Sequence, residues 1–510
     1  MPLIELGQSI PEDTAHAVSV SLPTWKSNVG YEEGEEWVLS KMKTGYPRFY
    51  IHDNIVRLAD TIIAHYGKAG ERAVAFPSSS VASRCVDFLR CQVPSLGKDE
   101  VRIVELVPNA RLNSEKMNVQ VSAKICAVLF PGLWFKVAKA FWQHSGEGVS
   151  SRQAEFAHRA YEEGALVEGT LVPAEANNNN RICKGPRRYQ KGPLTDKAAS
   201  YSTTNASSTQ SYPESEANSL LEGQEYSQFI EERFGRNLDL SFVRNAKLAV
   251  RRRITGSLTA DVDLNEAVNM PGDAEKSRRV MGFSEDDVYL YPTGMSSIFN
   301  THRTLMAACG PLKSICFGFP YIDTLKILQK WGPGCLFYGH GSSQDLDDLE
   351  KRLERGDRYL ALFCEFPSNP LLKSPDLKRI RLLADRYQFA VVVDETVGNF
   401  INVHVLPFAD AVVSSLTKVF SGDSNVMGGS CVLNPRSQYY KLLKDTLVAE
   451  YEDNYWAEDA IFMERNSRDF ISRIDRININ AEAICDALKA HPRGKPESLR
   501  YRALPSSAKS

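Results

Sequence analysis

Between residues 287 and 434 short apolar runs alternate with stretches of helical periodicity. The runs are "DVYLYP" (287–292), "SICFGFP" (314–320), "GCLFYG" (334–339), "RYLALFCEF" (358–366), "FAVVVDE" (389–395), "DAVVSSL" (410–416) and "GGSCVLN" (428–434). Segments such as "SSIFNTHRTLMAA", "YIDTLKILQKWG", "DLDDLEKRLERG" and "PDLKRIRLLADRYQ" fall between several of them and read as helices. A continuous β-branched run such as "AVVVD" suits a strand covered on both faces. The alternation therefore predicts an α/β fold with a mostly parallel central sheet and helices on both of its faces.

In open α/β sheets ligands gather at the carboxyl ends of the strands. The polar residues that follow each run are thus the functional candidates: "PTGMSS" after 287–291, Tyr321, "EFPSNP", Asp394, and "SSLTK" ending in Lys418. Taken singly, each has a bland reading. A Gly-x-Ser turn before a helix is commonly an N-cap, a strand-end aspartate a solvated group, and a lone lysine a surface charge. Ser415-x-x-Lys418 also matches a penicillin-binding signature, but the Ser-Asp-Asn and Lys-Thr-Gly strings of that class do not occur. Neither a Walker A string, nor a glycine fingerprint after a strand, nor His-Glu-x-x-His is present.

Taken together, the candidates form a set. Gly294, Met295 and Ser296 at a helix start offer backbone N–H groups to a phosphate. An aspartate can keep a pyridine nitrogen protonated, and a lysine can form a Schiff base with an aldehyde. These are the parts that pyridoxal phosphate requires.

The rest of the chain frames this region. Residues 1–173 are a mixed α/β extension in which "RAVAFPSSSVASRCVDFLRC" reads as strand, turn and helix. The window "SAKICAVLFPGLWFKVAKAFW" (122–142) carries Lys124, Pro131, Lys136 and Lys139, and reads as strand, Pro-Gly turn and amphipathic helix rather than a membrane span. Residues 174–221 are rich in Asn, Ser, Thr, Pro and Gly, which predicts a disordered linker. Residues 222–475 form the large domain, beginning with helices at 222–234 and about 242–256, and residues 476–510 begin a further domain. The formal net charge of −2 gives no reason to expect nucleic acid or an anionic membrane as partner. The 10 cysteines include no Cys-x-x-Cys pair and sit in apolar runs, which points to core thiols of a cytoplasmic protein rather than metal ligands or disulfides.

Here the motifs also carry a resemblance. "SSLTKVFSGDSN" resembles the lysine signature HSxTK followed by Gly-x-Ser in the Cys/Met-metabolism family of pyridoxal-phosphate enzymes. "PTGMSSI" (292–298) is similar to that family's SSGMAAI, "EFPSNP" (365–370) to its E(S/T)P(S/T)NP, and "VDET" (393–396) to its VDNT. "CFGFPYIDTLKILQKWGPGC" and "AVSVSLPTWKSNVGYEEGEEWV" are similar to its fungal cystathionine γ-synthase branch. The resemblance covers the chain to about residue 493 and implies the type I fold of these transferases.

Carried over residue by residue, the resemblance implies that Lys418 holds the cofactor covalently and shuttles protons. Asp394 pairs with the ring nitrogen, Tyr321 stacks on the ring and Asn369 lies near the ring hydroxyl. Gly294, Met295, Ser415 and Thr417 bind phosphate. A phosphate-binding arginine from a neighbouring subunit is implied too, which makes a homo-oligomer the expectation. Arg236 in "FGR" is the favoured match, and Tyr46 with Arg48 in "YPR" the runner-up. Family members also carry a C-terminal α+β domain whose arginine grips the substrate carboxylate, and residues after 493 show no match to it.

The implied reaction is γ-replacement, in which O-acetyl-L-homoserine and L-cysteine give L-cystathionine and acetate, as in methionine biosynthesis. A carbon nucleophile in secondary metabolism and a cofactor-binding protein without activity are the alternatives.

Overall fold

A computed structural model describes residues 5–42, 50–109, 124–169, 240–270 and 280–491. The expected linker at 174–221 and the expected helix at 222–234 lie outside these residues, as do Arg236, Tyr46 and Arg48.

The N-terminal unit opens with a short antiparallel pair, β1 (Ser9–Ile10) and β2 (Ser19–Val20). Its main sheet comprises β3 (Glu71–Phe76), β4 (Arg102–Pro108), β5 (Ile125–Pro131) and β6 (Leu166–Glu168), in the order β3-β5-β4-β6 with every pairing antiparallel. Helices Asp53–Tyr66 and Ser151–Glu162 cover one face, and Ser79–Gln92 and Phe135–Ser145 the other. Two of these helices start where a serine can cap them: Ser78 Oγ accepts from Val81 N (3.3 Å) and Ser150 Oγ from Gln153 N (3.1 Å). With both faces covered, Ile125–Phe130 of β5 are buried without alternation.

The larger sheet comprises β7 (Val288–Tyr291), β8 (Ser314–Phe317), β9 (Cys335–Tyr338), β10 (Ala361–Glu365), β11 (Ala390–Asp394), β12 (Ala411–Ser415) and β13 (Gly429–Leu433). Their order is β7-β13-β12-β11-β10-β8-β9. Pairings from β12 through β11, β10 and β8 to β9 are parallel, and β13 runs antiparallel to both of its neighbours. The predicted α/β class and mostly parallel sheet are therefore what the chain forms. Each strand is a little shorter than its apolar run. Helices Ser343–Glu354, Leu377–Tyr387, Ala457–Asn466 and Phe470–Ala490 pack on one face, and Gly294–Cys309, Ile322–Lys330 and Tyr440–Glu450 on the other. The domain boundary expected at 475/476 falls inside the helix Phe470–Ala490, because Phe470 and Ile474 are buried against the sheet-covering core.

The two units meet over an aromatic seam. Phe88 stacks on Trp331 with ring centroids 4.9 Å apart, and Phe141 meets Phe299 edge-on at 6.3 Å. Phe88, Phe141 and Phe299 are buried, and each such ring contributes roughly 2–3 kcal/mol by leaving water. Around the seam, Arg152 pairs with Asp459 (3.0 Å), both buried, and Val18 N donates to Ser424 O (2.7 Å). Among the described residues no helix is long and apolar enough to cross a membrane.

Candidate active site

Because β13 opposes both neighbours, β7 regains the direction of β12, and the carboxyl ends of β7, β8, β10, β11 and β12 share one edge. That edge carries Thr293 and Gly294, Tyr321, Glu365, Asp394 and Ser415, with Lys418 on the turn beyond β12.

The helix Gly294–Cys309 starts here. Thr293 is its N-cap: its Oγ1 accepts from Ser296 N (3.0 Å), and its carbonyl accepts from Ser297 N (3.2 Å). The amides of Gly294 and Met295 remain as the pair with no acceptor inside the helix. A Cβ at Gly294 would lie 2.6 Å from Ser415 Cβ and 3.0 Å from Ser415 Oγ. Only glycine lets the helix start press against the end of β12, and the Ser415 hydroxyl then lies beside the two amides.

Asp394 and Glu365 are register partners on β11 and β10, so two carboxylates stand side by side. Thr396 N donates to Asp394 Oδ1 (2.9 Å), and Thr396 Oγ1 accepts from Ser415 N (2.8 Å), which links the acidic pair to the helix start. Glu365 accepts from the backbone amides of Tyr321 and Asn369, the latter at 3.3 Å. One carboxylate thus gathers three of the residues expected around the ring: Tyr321, Asn369 and Asp394. Burial, and then the neighbouring Asp394 charge, push the Glu365 carboxyl up to about 7. A small pocket adjoins the pair, lined by Ile298, Thr324, Phe363, Glu365, Asp394 and others.

Lys418 is exposed, and its carbonyl accepts from Gly422 N (2.9 Å). Arg473, from the helix Phe470–Ala490, holds this turn from outside through Val419 O (2.9 Å). Thr417 is buried, and its hydroxyl exchanges hydrogen bonds with Gly428, donating to the carbonyl (3.3 Å) and accepting from the amide (3.2 Å). A phosphate contact from Thr417 would have to displace that exchange.

Glu365, Thr396, Thr293 and Arg473 were not singled out from the sequence. The first two lie inside the quoted "EFPSNP" and "VDET", so their position after a strand was a usable signal. Arg473 lies on a helix far along the chain, and no local pattern marks it.

The residues fit pyridoxal phosphate. A glycine-floored helix start with two amides and a hydroxyl suits an anion, since the helix end carries partial positive charge. The paired carboxylates suit a protonated ring nitrogen.

Comparisons with known proteins agree. Residues 54–150 match the family described as "Fungal trans-sulfuration enzyme, N-terminal domain", and residues 283–510 match "Cys/Met metabolism PLP-dependent enzyme". The chain is 52% identical to a cystathionine gamma-synthase of Neurospora crassa over 96% of its own length and 81% of that protein. It is 41% identical to the cystathionine gamma-synthase-like enzyme iboG2 of Amanita muscaria, over 96% of this chain and 76% of that one. Identity to a cystathionine gamma-synthase of Saccharomyces cerevisiae is 36%, over 94% and 79%. With its seven-stranded α/β sheet and an acid-lined strand edge facing a helix start, the chain belongs to the Cys/Met metabolism PLP-dependent enzymes and is a pyridoxal-phosphate enzyme of the cystathionine gamma-synthase type.

Proposed function

We propose that the chain catalyses γ-replacement on O-acetyl-L-homoserine, with L-cysteine as nucleophile, to give L-cystathionine and acetate. The observation that carries this reading is the single strand edge on which an anion cradle, a carboxylate pair and Lys418 meet, in a chain 52% identical to a cystathionine gamma-synthase. Bound pyridoxal phosphate supplies an electron sink conjugated to the substrate Cα.

The side chains divide the remaining work. Gly294, Met295 and Ser415 anchor the phosphate. Asp394, aligned by Thr396 and backed by Glu365, holds a proton at the ring nitrogen. Tyr321 covers the ring, and Asn369 lies toward the ring hydroxyl. Lys418 Nζ takes the proton from Cα and moves protons at Cβ. Acetate then leaves Cγ with its electron pair, and the cysteine sulfur forms the new C–S bond there as its proton is lost.

The phosphate arginine, Arg236 or else Arg48 with Tyr46, would come from a second copy of the chain, so the working form is a homo-oligomer. Buried free thiols, among them Cys85, Cys126, Cys364 and Cys431, support a reducing, cytoplasmic setting.

The test is direct. The full chain with pyridoxal phosphate, O-acetyl-L-homoserine and L-cysteine should yield cystathionine and acetate in equal amounts. Acetate without cystathionine would move the reading to another nucleophile, such as a carbon acid. Release of neither would overturn it.

A further inference from the structure

The N-terminal unit could be a mere passenger on the cofactor-binding unit. Its contacts say otherwise, because one short stretch of it makes polar links to both helices whose starts lie at the candidate cofactor site. The helix Phe135–Ser145 ends at Gly146, which adopts the left-handed φ of +64°. From the last turn of that helix, Gln143 Nε2 donates to Asp323 Oδ2 (3.0 Å), and His144 Nε2 stands 3.6 Å from Asp323 Oδ1. Asp323 is fully buried in the first turn of the helix Ile322–Lys330, two positions after Tyr321. Lys326 Nζ also pairs with it, at 3.1 Å.

The residues that follow reach the other helix. Thr293 Oγ1, the atom that caps Gly294–Cys309, donates to Gly146 O (3.1 Å). Glu147 accepts from Asn300 Nδ2 on the same helix (3.0 Å) and from Arg84 (2.8 Å). One short stretch of the N-terminal unit thereby holds both helix starts.

We infer that residues 143–147 are a positioning clamp for the cofactor site, fixing the phosphate-binding helix start through Gly146 and the Tyr321 helix start through Gln143 and His144. The clamp touches neither substrate nor cofactor. It acts by holding Thr293 at the cap and Asp323 in the first turn, so that the Gly294 and Met295 amides and the Tyr321 ring stay in register across the strand edge. This inference rests on pyridoxal phosphate occupying that edge.

Two glycines make the test. A Cβ at Gly146 would collide with Thr293 Oγ1 and come 2.8 Å from Ser296 N. Gly164, in the same unit, has a similar φ of +72°, but a Cβ there meets nothing within 4 Å. Gly146→Ala and Gly164→Ala therefore impose the same kind of backbone strain, and only the first pushes on the cap. The readout is retention of pyridoxal phosphate by the full loaded chain on dilution, followed by cofactor fluorescence and compared with the melting temperature. Gly146→Ala should weaken retention on the order of tenfold, as loss of a helix cap would, and Gly164→Ala should leave it at the wild-type level. Equal retention in all three proteins, or equal losses in both variants, overturns the clamp.

Should Gly146→Ala fail to fold, Gln143→Leu removes one donor to Asp323 and adds no strain. A changed absorbance band or faster release of the bound cofactor supports the clamp, and an unchanged band and release overturn it. A wild-type chain that takes up no pyridoxal phosphate instead removes the cofactor reading itself, and so separates the two failures.

Discussion

Among the described residues the two larger sheets are each covered by helices on two faces, yet only one gathers chemistry at an edge. In the N-terminal sheet every neighbour is antiparallel, so successive strand ends point to opposite sides and no edge collects them. In the larger sheet the parallel run from β12 to β9, with β7 restored to the same direction, brings Gly294, Tyr321, Glu365, Asp394 and Ser415 to one side. Strand direction, more than burial or composition, separates the unit that holds a ligand from the unit that braces it.

The sharpest way to break this contrast is at Lys418. Lys418→Ala should reduce turnover by about 10⁴-fold or more, since the proposed covalent anchor and proton carrier are both removed. Borohydride should then fix no pyridoxyl group to the chain, and a fixed group in the variant would show that another lysine serves. Asp394→Asn comes next. The variant should still bind cofactor while turnover falls by about 10³-fold, because a neutral partner does not hold the ring nitrogen protonated. Near-normal turnover would reduce Asp394 to a strand-end group.

A third change addresses the seam between the two units. Arg152→Ala leaves Asp459 buried without its partner, and burial already pushes that carboxyl up. A loss of about 3–4 kcal/mol is expected in denaturant unfolding. A change under about 1 kcal/mol would mean that the seam is held by its aromatic rings instead.

The smallest effect is the pH response of Glu365. Its folded pKa of about 7 lies above the ordinary 4.5, so the folded chain holds this proton more tightly than the unfolded chain does. The stability it contributes is full below about 4.5 and is lost as pH rises through about 7. Without cofactor, the wild-type chain should therefore lose up to about 3 kcal/mol relative to Glu365→Gln across that window. Parallel stability curves for the two proteins would show that Glu365 is not held neutral beside Asp394.

Much of the larger unit was legible because its signals are local. The run "AVVVD" reads as a doubly covered strand from its own composition, and "PTGMSSI" announces a helix start through Gly294 and the small residues after it. The same holds for the order of Tyr321, Asp394 and Lys418 after their strands. What stayed hidden depends on partners distant in sequence. Nothing around Gly146 says that its carbonyl meets Thr293, and nothing around Arg152 names Asp459. The motif points to Thr417 as a phosphate ligand, but nothing in it says that the Thr417 hydroxyl also bonds Gly428 across the turn between β12 and β13. The acidic pair needed the β10–β11 register before Glu365 could be seen beside Asp394.

The placement of β13 also bears on how the molecule is made. β7 and the helix that carries the anion cradle are synthesised early, but β7 lies at the sheet edge with β13 as its strand neighbour, and β13 is the last described strand to leave the ribosome. Until then Tyr291 has no Gly429 to pair with, and β7 has no strand neighbour. Closing so long a loop is slow, though its entropy grows only gradually with length. The vitamin-derived ligand therefore meets a sheet whose β7 edge is still unpaired until β13 arrives. It can reward only a chain in which β13 has paired with β12 and β7, so cofactor uptake during synthesis would report that pairing.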